Sequence, residues 1–248
     1  MRQRLLGSVD VAAALTDLRS RAVNYDPAAA PLDGQPEGHW HVDSASTLLG
    51  REPSGPPLAG GVWQTACTLV RRYEFTNPRV VRAVYRLDAE LLGRDMLLEG
   101  RFFGLRFYLG VRVTDVIDET RGSGGRAEQC WGWSYQTLQG HLEQGRLSYE
   151  VSKNLVSGDV RFRVSGYSRR APIRNPVIRW GFGIFGRPTQ MRFYRYVQRR
   201  LRELVRAAQR GEPLPEPTVR ADGLAVAPSG ATPHPLERLA RASHHPGS

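Results

Sequence analysis

The sequence predicts an α+β fold, a curved antiparallel sheet wrapped around one long C-terminal helix. Three observations carry this. Over residues 95–165, apolar residues recur at every second position in about five runs joined by short polar turns, the pattern of an antiparallel meander with one buried face. From Pro188 to about Gln209 the period becomes helical, with Met191, Tyr194, Val197, Leu201, Leu204, Val205 and Ala208 on one stripe. Ahead of the sheet, shorter stretches also repeat at helical spacing. A single sheet has a face that must be covered, and the long helix is the obvious cover. A sheet curving around that helix leaves a cavity between them.

In chain order, residues 8–21 read as a short helix, with Ser8 as its cap and Val9, Ala12, Ala13, Leu15 and Leu18 as its apolar stripe. Residues 26–61 are rich in Pro and Gly and read as a loop. Within it, His39-Trp40-His41 offers two histidines with no third ligand, so the triplet reads as an aromatic tether on the core and no metal is assigned. A helix is predicted over 62–73, where Trp63, Ala66, Cys67, Val70 and Tyr73 recur and Arg71-Arg72 suit the last turn. Asn77 as cap and Pro78 at the first helical position predict a short helix over 78–85.

From Asp95 the period is two. Phe107, Leu109, Val111 and Val113 share a face, and residues 118–126, with Gly122-Ser123-Gly124-Gly125, make a hairpin loop. Trp131, Trp133 and Tyr135 follow on one strand face, then Leu147, Tyr149 and Val151, then Val160, Phe162 and Val164. Residues 168–188 are irregular, with a candidate short helix at 176–182. In the long helix, Arg192, Arg195, Arg199, Arg202 and Arg206 take the remaining surface, and Gly211 and Pro213 stop it. Residues 211–248 lack apolar periodicity and read as a disordered tail.

Composition narrows the function classes. The 248 residues are 40% hydrophobic, enough for one good-sized core. No run approaches 18 apolar residues, so no transmembrane helix is expected, and Asp10 interrupts the only stretch that starts like a signal peptide. The expected location is the cytoplasm. Cys67 and Cys130 form neither a disulfide framework nor a CxxC and read as small buried hydrophobes. The net charge of +11 favours anionic partners, but the arginines are spread along the whole chain, and among 35 basic residues Lys153 is the one lysine. Nucleic-acid binding is therefore not the leading expectation, and an anionic membrane surface stays open for the arginines of the long helix. Gly122–Gly125 lacks the Lys-Ser/Thr ending of a phosphate loop.

Several stretches carry a family resemblance. Tyr73-Glu74-Phe75-Thr76-Asn77-Pro78, Gly93-Arg94-Asp95-Met96, residues 131–145, Tyr167-Ser168-Arg169 and residues 186–196 resemble the DUF1990 family of bacteria and plants. The most specific element is Y-x-T-L-x-G-H-x-E-x-G, present in full as Tyr135, Thr137, Leu138, Gly140, His141, Glu143 and Gly145. The similarity runs from about 58 to 206, with a weaker echo at Asn24-Tyr25-Asp26. The resemblance implies a START-like, Bet v 1-like helix-grip fold, whose members often hold lipids, polyketides or other apolar molecules. It implies no catalytic residues and no cofactor. The implied organisation is a lead-in at 1–57, a helix-grip domain at 58–210 and a tail at 211–248.

The site candidates follow. Trp131, Trp133 and Tyr135 form an aromatic wall suited to a ligand or to core packing. Glu99, Tyr108 and Tyr167 are candidate polar groups at the same pocket. His141 and Glu143, two apart between Gly140 and Gly145, either hydrogen-bond a turn or serve as an acid–base pair with Tyr135 assisting. The leading expectation is a cytoplasmic protein binding a small apolar or amphipathic ligand. The alternatives are a hydrolase or cyclase of the same fold using His141 and Glu143, and a basic scaffold for nucleic acid or anionic membrane.

Overall fold

The computed structural model describes residues 10–31, 40–102, 105–171, 187–230 and 242–244. In chain order the elements are α1 (Val11–Asp17), β1 (His41–Arg51), α2 (Val62–Arg71), β2 (Val81–Arg86), β3 (Asp95–Phe102), β4 (Leu105–Arg121), β5 (Glu128–Thr137), β6 (Glu143–Asn154), β7 (Asp159–Arg170), α3 (Arg187–Gln209), β8 (Thr218–Val219), β9 (Leu224–Ala227) and β10 (Ala242–His244). The first nine strands form one antiparallel sheet in the order β1-β7-β6-β5-β4-β3-β2-β9-β8, and β10 pairs in parallel with the start of β4. Register irregularities between Val113 and Asp115 of β4 and between Leu48 and Gly50 of β1 bend these strands and help curl the sheet.

Alternation divides the strand residues between two faces, each with its own core. The inner face carries Met96, Leu98, Val111, Val113, Trp133, Tyr135, Tyr149, Val151, Phe162 and Val164. Against it pack Ala66, Leu69 and Val70 of α2 and Tyr194, Val197, Leu201 and Val205 of α3. The helical stripe read from the sequence is thus the buried stripe of α3. The outer face is covered in part by α1: Ala14, Leu15 and Leu18 pack on Val84, Leu97, Tyr108, Leu138 and Leu224. No helix among the described residues is long and apolar enough to cross a membrane.

Five expectations need correction. The loop expected over 26–61 contains β1, an 11-residue strand paired along its length with β7. Its inward positions include Asp43 and Thr47, so the apolar alternation that announces a strand is missing. The helix expected over 78–85 is a turn followed by β2. Asn77 Oδ1 accepts the Arg79 N–H at 2.9 Å, closing an Asx turn, and β-branched Val80, Val81 and Val84 then favour extended chain. The expected cap Ser8 lies outside the described residues, and Asp10 caps α1 by accepting the Ala13 N–H at 3.0 Å. The hairpin loop expected from 118 begins later, because β4 runs through Arg121. The segment 211–230, expected as tail, adds β8 and β9 beyond β2, and Ser229 donates its N–H and hydroxyl to the buried Glu74 carboxylate at 2.9–3.0 Å. The candidate helix at 176–182 lies outside the described residues.

Two arginines of α3 bind backbone. Arg200 donates to Glu74 O at 3.0 Å and Arg202 to Leu48 O at 3.1 Å, tying the helix to the end of α2 and to edge strand β1. At the other end of α2, Gly61 supplies no capping side chain. Glu52 does so from a distance, accepting the Trp63 N–H at 2.8 Å and the Leu58 N–H at 3.1 Å. Its counter-ion is Lys153, fully buried, 2.8 Å from Glu52 and donating also to Pro56 O at 2.8 Å.

Candidate functional site

The aromatic stripe of β5 does face inward, but its centre is core. Trp133 is 1% exposed and donates its indole N–H to Val70 O at 3.2 Å. Tyr149 of β6, its register partner, lies 5.1 Å away ring to ring, and Tyr73, Phe75 and Phe162 complete an edge-to-face cluster. Trp131 stands partly buried at one side of this cluster and Tyr135 buried at the other. Burial pushes the Tyr73, Tyr135 and Tyr149 hydroxyls well above the usual phenol range, so all three are neutral donors near pH 7.

The motif around His141 builds a corner. Gly140 adopts φ +89°, a left-handed conformation that suits glycine. His141 N–H donates to Leu138 O at 3.0 Å, and His141 Nδ1 lies 2.9 Å from Glu143 N and 3.0 Å from Glu143 O, so the ring engages the Glu143 backbone. The Thr137 hydroxyl accepts the Gly145 N–H at 3.0 Å and donates to Asn24 Oδ1 at 2.7 Å. Asn24 donates in turn to Glu143 O at 2.8 Å, and its own carbonyl accepts from Gln144 at 2.6 Å. Leu138 is fully buried in the outer core under α1. Every polar motif residue but Tyr135 and Glu143 thus has a place in the corner, and the distant Asn24 belongs to it. Thr137→Val is expected to leave Asn24 Oδ1 and the Gly145 N–H without their partner and lower stability by about 1–3 kcal/mol, measured by urea unfolding.

The described hydrogen bonds of the His141 imidazole go to the Glu143 backbone, and none of them joins it to the Glu143 carboxylate. By strand parity Glu143 shares the inner face with Leu147 and Tyr149. Burial holds its carboxyl above the ordinary value, with Arg170, its register partner on β7, opposing through space. Tyr135 lies within electrostatic reach of both Glu143 and Tyr194 of α3. Among the described residues, no hydrogen bond or ion pair ends on this carboxylate. Leu109, Leu147, Met191 and Phe193 are only partly buried where they pack on the core.

Three predicted ligand contacts sit elsewhere, as corrections to their placement. Glu99 and Tyr108, directly opposed in the β3–β4 register, lie on the outer face, where Glu99 pairs with Arg82 at 2.9 Å and Tyr108 packs under α1. Their parity opposes that of Met96 and Leu98. Tyr167 also faces outward, 3.1 Å from the Tyr25 hydroxyl and edge-on to Trp40, 5.4 Å between ring centroids. This second aromatic cluster anchors the segment before β1, and it is the tether expected of Trp40, whose indole N–H donates to Ala29 O at 3.1 Å. His39 lies outside the described residues, and His41 is exposed at the start of β1.

The residues that reading alone missed are Leu109, Leu147, Tyr149, Met191 and Tyr194. Their signal was present, since alternation and helical spacing marked each as apolar-face, but nothing in the chain said which faces meet. Cys67 and Cys130 are buried and unpaired, and burial raises both thiols, Cys130 to about 11, which keeps them protonated and unreactive. Among the described residues no cluster of three or more His, Cys, Asp or Glu is placed to hold a metal. A half-open cleft of about 400 Å³ lies on the outer side, between Leu15 and Arg19, the turn at Gly93, and Leu224.

A family model described as "Domain of unknown function (DUF1990)" matches residues 24–202. No curated protein matches the chain. Among solved structures the chain is similar to the crystal structure of Ara h 8.0201, at 13% identity and a TM-score of 0.36, over 68% of this chain and 99% of that one. It is also similar to ginseng major latex-like protein 151 from Panax ginseng, at 11% identity and a TM-score of 0.41, over 67% and 97% of the two chains.

Proposed function

We propose, from the premise that the chain belongs to the DUF1990 family, that it binds a small apolar or amphipathic molecule between the inner sheet face and the first turns of α3. The single observation carrying this is the inner-face position that strand parity gives Glu143, whose carboxylate is hydrogen-bonded by no described residue and is opposed only through space by its register partner Arg170. A charged or acidic group without a partner on an otherwise apolar face is costly unless something else completes it. The aromatic cluster around Trp133 and Tyr149 fills the centre of the fold, so the ligand belongs at the Glu143 end, with Leu109, Leu147 and Met191 as its apolar contacts. The proposal places the carrier in the cytoplasm, in keeping with two unpaired cysteines.

The neutral fluorophore N-phenyl-1-naphthylamine tests this. Burying about 400 Å² of apolar surface at about 25 cal/mol per Å² yields roughly 10 kcal/mol. Association takes at least about 4 of these, leaving about 6 kcal/mol, a Kd of tens of micromolar. Saturable fluorescence enhancement in that range is expected, reduced about tenfold or more by Leu147→Trp, which fills the site. No saturable enhancement by the folded protein would end the proposal.

A further inference from the structure

We infer that the β2 edge of the sheet is a strand-binding site, held shut by the chain's own residues 212–230, and that the strand it takes from outside is the same segment of a second copy. The inference stands apart from the ligand reading above. Residues 24–202 carry the family match, and this strap follows them. Through β9 it pairs antiparallel with β2, Ala227 opposite Ala83 and Leu224 opposite Arg86, and the Leu87 N–H donates to Gly223 O at 3.2 Å. Without β9, β2 would end the sheet and show unpaired N–H and C=O groups, the template on which strands of other chains add.

Two clasps hold the strap, both at the end of α2. Ser229 donates its N–H and its hydroxyl to the Glu74 carboxylate at 2.9–3.0 Å, and among the described residues no other group hydrogen-bonds that carboxylate. Arg72 pairs with Glu216 at 3.1 Å. Glu74 is 0% exposed, so an acidic acceptor lies buried under the strap and Ser229 satisfies it. The neighbouring side chains set the pattern of a strand that fits. Ala225 and Ala227 enter the inner core beside Ala83 and Tyr85, whereas Leu224 enters the outer core beside Val84. The site therefore takes small residues on the inner side, a larger apolar residue on the outer side and a small donor that reaches Glu74, which describes the strap itself.

The grip is short, as release requires. β9 has four residues and β8 two, with Thr218 and Val219 both exposed. Alanine methyls bury little area, and on release water reaches the Glu74 carboxylate, so no stranded charge opposes opening. A segment held in this way opens at less than the cost of global unfolding.

The experiment uses the full chain. Ser229→Pro removes both donors to Glu74, Ser229→Thr keeps them, and Ala225→Asp frees the strap a second way, by putting a charge at a fully buried position. In hydrogen exchange read by mass spectrometry, Ser229→Pro and Ala225→Asp are expected to speed exchange over residues 214–229 roughly 10- to 100-fold, with β5 and β6 unchanged and Ser229→Thr like the wild type. A fluorescein-labelled peptide of residues 212–230 is expected to bind both freed variants saturably, at least about tenfold more tightly than it binds the wild-type protein, whose site is occupied. The same peptide carrying Ser229→Pro is expected to bind them at least about tenfold more weakly. Protection lost in β5 and β6 along with the strap would show that the strap is inseparable from the sheet. No saturable binding to the freed variants, or binding equal to that of the wild type, would show that the edge takes no strand. Each of these results overturns the inference.

Discussion

Lys153→Ala is expected to destabilise the protein by about 3–5 kcal/mol, the cost of leaving a buried charge without its partner. At this chain length that is a fall in Tm of roughly 6–20 °C. Lys153 is the chain's one lysine and is fully buried, and its ammonium bonds Glu52 and Pro56 O. Glu52 in turn caps α2 through the Trp63 N–H, so the substitution also loosens the start of a helix that covers the inner face. The double variant Glu52→Gln/Lys153→Met is expected to recover part of the loss, because replacing both partners removes the buried charge. An additive loss in the double variant would show that the two side chains do not act as a pair.

The same pair predicts an acid dependence. Burial alone would raise the Glu52 carboxyl, but hydrogen bonds from Lys153, Trp63 and Leu58 outweigh it and hold the group below its ordinary value of 4.5. A carboxyl with a depressed folded value stabilises the fold fully above its unfolded value, and the contribution disappears as pH falls through the folded one. The stability lost in Glu52→Gln is therefore expected to be largest near pH 7 and to shrink on acidification below about 4.5. Urea unfolding of both proteins at pH 7 and pH 3 measures this, and a difference independent of pH would contradict it.

Gly145→Ala is expected to cost about 3 kcal/mol or more. A Cβ built at Gly145 would collide with Tyr167 O and stand 2.9 Å from the Ser168 Cα, both backbone atoms of β7, so the two strands would have to part. Parting them pulls the Gly145 N–H from Thr137 and breaks the corner that orients Glu143. Both stability and fluorophore binding should fall. Gly125→Ala is the control. Nothing lies within 4 Å of its Cβ, so a change within about 0.5 kcal/mol is expected. Equal effects at the two glycines would remove the corner's structural importance.

How far the chain was legible depended on how each element announces itself. The meander from β3 to β7 and the stripe of α3 were readable because period two and period 3.6 are written in the apolar residues themselves. β1 is hidden because its inward residues include Asp43 and Thr47, whose burial comes from α3 packing over a strand paired to β7. β2 is hidden because Asn77-Pro78 opens a turn as readily as a helix, and β8 and β9 because strands of two and four residues carry too little pattern. Within the site, the motif around His141 was visible as a unit, but its division of labour was not. Asn24 reaches it across 119 residues, and no local spacing predicts that bond.

By itself the sequence determined which residues alternate, which repeat as helix, and that Gly140 to Gly145 forms a polar corner, because these follow from local backbone geometry and side-chain chemistry. Which way each face points was decided by the tertiary structure alone. It sent Glu99, Tyr108 and Tyr167 outward, buried Trp133 under α2, turned His141 to the backbone and left Glu143 on the inner face. The physical reason is that α1 covers one side of the sheet while α2 and α3 cover the other. With apolar cover on both sides, hydrophobic alternation no longer distinguishes inside from outside.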